Sequence, residues 1–307
     1  MNIALKPYEQ LINDFTTWAE REPNIHTALV IGSQVRPDHP ADQWSDLDLM
    51  IIAQNPQQFI DADGWVAQVG EPVFTFVEKS VSGDAERRVL FQGGEYGLEV
   101  DFAFLSVEKI KGLLHTPQLS AELASELFNA FGRGMRVLVD KDHLAESLQK
   151  LLAPVQRPAP TLPSPDAYQA VVSDFWYHAL WTAKHLCRGE LWWAKSGCDM
   201  RLKQLLLTML EWHAHCTAGP DNDTWFRGRF LETWVDPHTR CELERVFAHY
   251  DEADIWRALL ATMKLFRWAA LDTARQLEYT YPTAGDDYVT RLVEQLHEGV
   301  DELFVLV

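Results

Sequence analysis

Between residues 153 and 165 the chain carries Pro154, Pro158, Pro160, Pro163 and Pro165. Proline fixes φ and lacks a backbone N–H, so neither a helix interior nor a central strand survives that density. The stretch reads as a stiff linker, and it separates two halves with different hydrophobic periods. Ahead of it, short apolar runs bounded by Gly, Pro and Asp predict strands at 27–31, 48–53, 73–77, 87–92, 96–105 and 136–139. Helices are expected there at 8–20, at 57–65 and after Ser106, whose hydroxyl suits a cap. Behind it, 166–187, 198–217, 241–250 and 254–278 carry apolar residues at three-and-four spacing, with one last helix at the C-terminal end. Short connections between them favour an antiparallel bundle. With 307 residues, each half can bury its own core. The expected organisation is a domain over 1–152, a linker over 153–165 and a helical domain over 166–307.

Within the first half, residues 29–52 read LVIGSQVRPDHPADQWSDLDLMII. A strand ends in Gly32-Ser33, a proline-bearing excursion follows, and Asp46-Leu47-Asp48 opens the next strand. Residues i and i+2 of a strand share a face, their Cα atoms roughly 6.5 Å apart. Two carboxylates aimed at one point repel unless a cation lies between them, and such oxygen-rich sites suit Mg²⁺. A lone Asp-x-Asp is ordinarily a solvated strand end, but two features argue otherwise here. Gly32-Ser33 lies where backbone N–H groups can cradle phosphate oxygens. Asp101 sits inside the apolar run LEVDFAF, where an unpaired carboxylate is costly, so it needs a partner. Adjacent strands lie about 4.8 Å apart, so a strand bearing Asp101 beside that of Asp48 would bring three carboxylates together.

Bulk properties narrow the partners. A formal net charge of −18 argues against nucleic-acid binding, which runs on basic patches, and would draw in a cationic small molecule. No stretch is apolar enough to cross a bilayer, and the start of the chain has no signal-peptide pattern. Cys187, Cys198, Cys216 and Cys241 are widely spaced, with no Cys-x-x-Cys pair. A cytoplasmic protein with free thiols is expected.

The Gly-Ser turn, the loop of about a dozen residues, Asp-x-Asp and the later strand aspartate resemble the polymerase-β-type nucleotidyltransferases. The segments PADQWSDLDL, VDFAF, RVLVDKD, DFWYHALWTAKHLCRGELWWA and IWRALLATMKLFRWAALDTARQLEYTYP look like the aminoglycoside 6-adenylyltransferases, in the same order over residues 25–282. This resemblance implies an α+β fold: an N-terminal nucleotidyltransferase domain with a mixed β-sheet flanked by helices, then a C-terminal helical bundle. It implies transfer of AMP from ATP to a hydroxyl of a cationic aminoglycoside, the 6-hydroxyl of streptomycin, with release of pyrophosphate and resistance to the drug. Asp46 and Asp48 are then the expected ligands of two Mg²⁺ ions, with Asp101 as third ligand, as acceptor of the hydroxyl proton, or as both. Gly32 and Ser33 would hold the β- and γ-phosphates, with a cation from Lys184 and more weakly from Arg188 and Lys203; Arg36, close after Gly-Ser, could serve too. Gln34 stands where the family often has Arg, which leaves the phosphate contacts open. For the aminoglycoside the resemblance points to Asp174 and Trp176, with Glu190, Trp192 and Trp193 beside them; Trp176 could stack on a guanidinium. A monomer or weak dimer is expected.

The bland alternatives run beside these. A lysine on a bundle helix is ordinarily a solubilising side chain, and tryptophans at helical spacing are usually core. His213-x-His215 points its rings apart on a helix and reads as structural. Asp251, Glu252 and Asp254 read as a helix start. The competing functional reading is a silent nucleotide-binding or partner-binding protein of the same fold, antitoxin-like or sensor-like; the three carboxylates and the Gly-Ser turn weigh against it, because a pure binder has no need of two metals.

Overall fold

The computed structural model describes residues 6–37, 39–79, 85–116, 119–132, 134–153, 155, 160, 162–224 and 226–305. The chain divides into two compact units, Met1–Pro158 and Ala159–Val307. Of the linker prolines, Pro154 and Pro158 lie outside the described residues.

The first unit runs α1 (Lys6–Arg21), β1 (Ile25–Ile31), β2 (Leu47–Ala53), α2 (Gln57–Asp61), β3 (Pro72–Lys79), β4 (Ala85–Phe91), β5 (Leu98–Ser106), α3 (Val107–Leu114), α4 (Ala121–Phe131), β6 (Arg136–Asp140) and α5 (Leu144–Leu152). One six-stranded sheet has the order β3-β4-β5-β2-β1-β6. Only the central β2–β5 pair is parallel; the other pairs are antiparallel. The α1 residues Leu11, Ile12, Phe15 and Ala19 recur at helical spacing and bury against Leu47, Leu49, Ile51, Val100 and Phe102. The alternate β2 residues Met50 and Ile52 pack on the opposite face against α3, α4 and α5. Asp48, two residues before Met50, belongs by the pleat to that second face.

Several elements depart from the sequence-based expectations. The helix expected over 57–65 stops at Asp61, where Ala62 turns extended. The reason lies one strand away: the Arg87 guanidinium donates to the carbonyls of Phe59 and Ile60, and the Trp65 indole N–H also donates to Phe59 O. Those carbonyls are the acceptors another helical turn would need. Trp65 drops into the core instead, stacked on Trp18 at 5.1 Å and edge-on to Phe102 at 4.9 Å. Helices α4 and α5 were not anticipated. Ser120 caps α4, accepting from Leu123 N, and Ser106 caps α3 as expected, accepting from Lys109 N.

The second unit is helical: α6 (Pro165–Cys187), α7 (Leu191–Ser196), α8 (Leu202–Ala218), α9 (Leu231–Trp234), α10 (Pro237–Val246), α11 (Glu252–Leu277) and α12 (Thr283–Val305), with a π-turn over Gly197–Arg201 joining α7 to α8. Ser164 caps α6 with Pro165 in the first turn, and Asp251 caps α11. Phe175 on α6 lies flat on Phe266 of α11 at 3.6 Å, inside a core fed by Leu202, Leu206 and Met209 of α8 and Val293 of α12. The helix expected over 241–250 begins earlier and ends earlier. Asp236 caps it ahead of Pro237, and the Arg257 guanidinium takes the carbonyls of Arg245 and Phe247 at its end. Among the described residues, no helix is long and apolar enough to cross a membrane.

Candidate active site

β1 ends at Ile31, and Gly32 turns the chain with φ +69°, a left-handed conformation that suits glycine. A single 3₁₀ turn, Gly32–Gln34, follows. Gln34 Nε2 donates to Asp46 O at 2.9 Å, and Ser33 Oγ donates to the same oxygen at 3.4 Å. The excursion is closed further by Asp42, whose carboxylate accepts from Trp44 N at 2.9 Å and Ser45 Oγ at 3.0 Å. This is how the start of β2 is brought back beside the end of β1. Gln34 thus acts as a fastener of the loop.

β2 then carries Asp48, and its register does the rest. Ile31 faces Asp48, Asp48 faces Asp101 across the parallel pair, Asp101 faces Arg88 and Arg88 faces Phe76. Register partners share a face, so this row lays Asp48, Asp101 and Arg88 side by side. With Asp46 just ahead of β2, the carboxylate oxygens of Asp46, Asp48 and Asp101 lie within 4.8 Å of one another, all half-buried. Gly32 has a second reason to be glycine: a Cβ there would lie 2.0 Å from Asp48 Oδ2. The carboxylate of Asp48 itself fills that space.

Crowding changes the acids. Burial first, then the charges of Asp46 and Asp101, push Asp48 up to about 7. Burial pushes Asp101 up to about 6, with Arg88 pulling it down and Asp46 raising it. An all-oxygen donor set that resists holding its own negative charge fits a hard divalent cation, which would relieve the repulsion. Arg88 is the functional residue that sequence reasoning missed. Its guanidinium lies 3.0 Å from Asp101 Oδ2, with Glu78 Oε1 2.6 Å from its Nε on the other side. The signal was present: Asp101 required a partner, and in the strand Arg87-Arg88 one of the two arginines had to point to each face.

The remaining candidates are distributed as follows. Arg36 is half-buried just past the turn. Lys184 on α6 is exposed, and Arg188 after it pairs with Glu190 at 2.7 Å. Glu190 also meets His185, while Asp174 on α6 pairs with Arg201 and with His178 at 2.6 Å. Lys203 is taken up inside the bundle, bonded to Cys198 O at 3.0 Å and Thr262 Oγ1 at 2.9 Å, and burial lowers its pKa. Trp176 needs correcting: it is 4 % exposed, donates to Tyr281 OH, and the guanidinium over its ring at 5.1 Å is the chain's own Arg267. It is a core residue, edge-on to Phe175 and to Phe266 of α11. Trp192 and Trp193 are exposed. His213 bonds Asp272 at 3.1 Å, and His215 meets Thr224 at 3.3 Å.

Comparison with known proteins adds the following. The model of a protein family described as streptomycin adenylyltransferase matches residues 5–296. The chain is 20% identical over 296 residues to an aminoglycoside 6-adenylyltransferase of Bacillus subtilis, covering 96% of this chain and 100% of that one. It is 18% identical over 284 residues to an aminoglycoside 6-adenylyltransferase of Staphylococcus aureus, covering 91% and 94%. A crystal structure of an aminoglycoside 6-adenyltransferase from Bacillus subtilis aligns over 97% of this chain and 99% of that one, at 16% identity and a TM-score of 0.44.

Proposed function

The chain is a member of the streptomycin adenylyltransferase family, and from that premise we propose that it transfers AMP from ATP to the 6-hydroxyl of streptomycin, releasing pyrophosphate and conferring resistance. It is a nucleotidyltransferase, and AMP transfer to an aminoglycoside is its class of reaction. The observation that carries the reading is the convergence of Asp46, Asp48 and Asp101 within 4.8 Å.

Asp46 and Asp48 are proposed to hold two Mg²⁺ ions, with Asp101 as a third ligand. Bound there, Mg²⁺ would offset the triphosphate's charge and stabilise the attacking and leaving oxygens. Asp101, held by Arg88 at 3.0 Å, is proposed as the carboxylate that takes the proton of the sugar hydroxyl. Gly32 and Ser33 support the β- and γ-phosphates, and Arg36, three residues past Ser33, supplies a cation for them. Asp174 and Glu190 receive the drug. Each already binds a guanidinium of the chain, Arg201 and Arg188 respectively, and streptomycin carries two such groups.

The reading is tested by mixing protein, Mg-ATP and streptomycin and measuring pyrophosphate and the mass of the drug. Streptomycin-dependent release with a drug heavier by one AMP is expected. No release with streptomycin or its relatives removes the substrate, and an Asp48→Ala protein with full activity removes the mechanism.

A further inference from the structure

The row of strand partners that gathers the carboxylates runs on past them. Asp101 faces Arg88, and Arg88 faces Phe76. One row along, Glu99 faces Leu90 and Leu90 faces Phe74; one row the other way, Glu86 faces Glu78. The ladder between β3 and β4 is regular from Phe74 to Lys79, so by the pleat these side chains share the face of Asp101 and Asp48. Helices α3, α4 and α5 cover that face where it carries Leu29, Met50 and Ile52. Among the described residues, Phe74, Phe76 and Leu90 belong to none of the apolar clusters. Phe74 and Phe76 are 69% and 53% exposed, and Glu78 and Glu99 are exposed with them.

The two ends of the central row differ in chemistry. At the β1 end the Gly32 turn adjoins Asp48, where the phosphates are proposed to sit. At the β3 end an aromatic floor lies between carboxylates, and the charge of Arg88 is already taken up by Glu78 and Asp101. A triphosphate is repelled from such a floor, whereas a guanidinium or ammonium gains both the ring face and the neighbouring carboxylate. In-line displacement sets the attacking and leaving oxygens on opposite sides of the phosphorus, so a nucleotide seated at Gly32 leaves the Phe76 end to the acceptor. We propose that this part of the sheet is the acceptor platform: Phe76, with Phe74 beside it, stacks a cationic group of the aminoglycoside, Glu99 pairs with another, and the hydroxyl between them comes to Asp101. Phe76 is two strands from Asp101, about 9.6 Å, and Glu99 two residues along β5, about 6.5 Å, distances that a drug of linked six-membered rings spans. The identity of the acceptor rests on the AMP-transfer reading; the platform itself rests on the face that β3, β4 and β5 share.

The test titrates streptomycin calorimetrically into the full chain holding Mg²⁺ and a non-transferable ATP analogue, with steady-state kinetics beside it. Phe76→Ala is expected to weaken streptomycin binding about 3–30-fold, the range of one cation–π contact. Glu99→Gln is expected to weaken it about 2–5-fold, the range of one exposed ion pair. Both should raise the KM for the drug more than they lower kcat, and leave the affinity for the ATP analogue within about twofold. Phe76→Tyr, which keeps the ring face, should stay within about twofold of the wild type. Val77→Ala, on the opposite face of β3 across from Arg87, should change neither affinity. Unaltered drug affinity in Phe76→Ala or Glu99→Gln overturns the proposal, as does a wild type that binds no streptomycin. An equal loss of the ATP analogue also overturns it, by giving the face to the nucleotide. Streptomycin held by these residues but never adenylylated removes the reaction and leaves the platform; adenylylation at unaltered KM in both variants removes the platform and leaves the reaction.

Discussion

Arg88 stands directly across the β4–β5 ladder from Asp101, its guanidinium 3.0 Å from the carboxylate. On the proposed mechanism, Arg88 would position Asp101 as proton acceptor. Removing its charge lets the pKa of Asp101 rise, so the acidic limb of the activity profile should move to higher pH in Arg88→Ala. We expect roughly 10–100-fold lower turnover at pH 7, with part of the loss recovered near pH 8.5. Arg88→Lys should keep more activity than Arg88→Ala. A profile that only drops, without moving, would assign Arg88 to folding alone.

Asp48 makes the apo protein's stability depend on pH. Its folded pKa of about 7 exceeds that of an unfolded aspartate, so the native state binds the extra proton. That contribution is present below about pH 4 and is lost as pH rises through 7. Asp48→Asn should therefore stabilise the metal-free protein by ~2 kcal/mol at pH 8 and leave it unchanged at pH 4. Activity should vanish in the same variant. Urea titrations at the two pH values, without Mg²⁺, decide it.

Gly32→Ala meets two obstacles at once: φ +69° and a Cβ 2.0 Å from Asp48 Oδ2. The side chain that must yield is the proposed metal ligand Asp48. Turnover should fall by at least about 100-fold, with a stability loss of about 1–3 kcal/mol. Near-normal turnover in this variant would mean that the turn and Asp48 are not coupled as described.

Asp286 is 2 % exposed and is held by the guanidinium of Arg267 and by the hydroxyls of Tyr281 and Thr290. Arg267→Ala would leave that carboxylate buried without its cation, at a cost of about 3–5 kcal/mol. Trp176→Phe should lower stability, since the indole N–H bond to Tyr281 is lost, while the KM for the aminoglycoside stays within about twofold. Thermal unfolding and steady-state kinetics on the same preparations separate the two effects. A large KM change with unaltered stability would return Trp176 to the drug.

The sequence by itself determined what is local. The proline-dense stretch separates strand periodicity from helix periodicity, and the Gly-Ser turn, Asp46, Asp48 and Asp101 each announce themselves by residue type within an apolar run. Chain segments that resemble a family fall in order, and a family match follows from them. What only the tertiary structure decided is which distant residues meet. That Asp101 faces Asp48 depends on the β3–β4 hairpin adding itself beyond β5, so that β2 and β5 pair in parallel. That Arg88 and not Arg87 reaches the carboxylates is a matter of pleat phase, and Arg87 instead ends α2 from a neighbouring strand. That Trp176 is core rather than surface depends on which side of α6 meets α11. Local periodicity carries a residue's face and spacing; the register between strands and the partner across a helix face arise from long-range packing, which no short window of sequence contains.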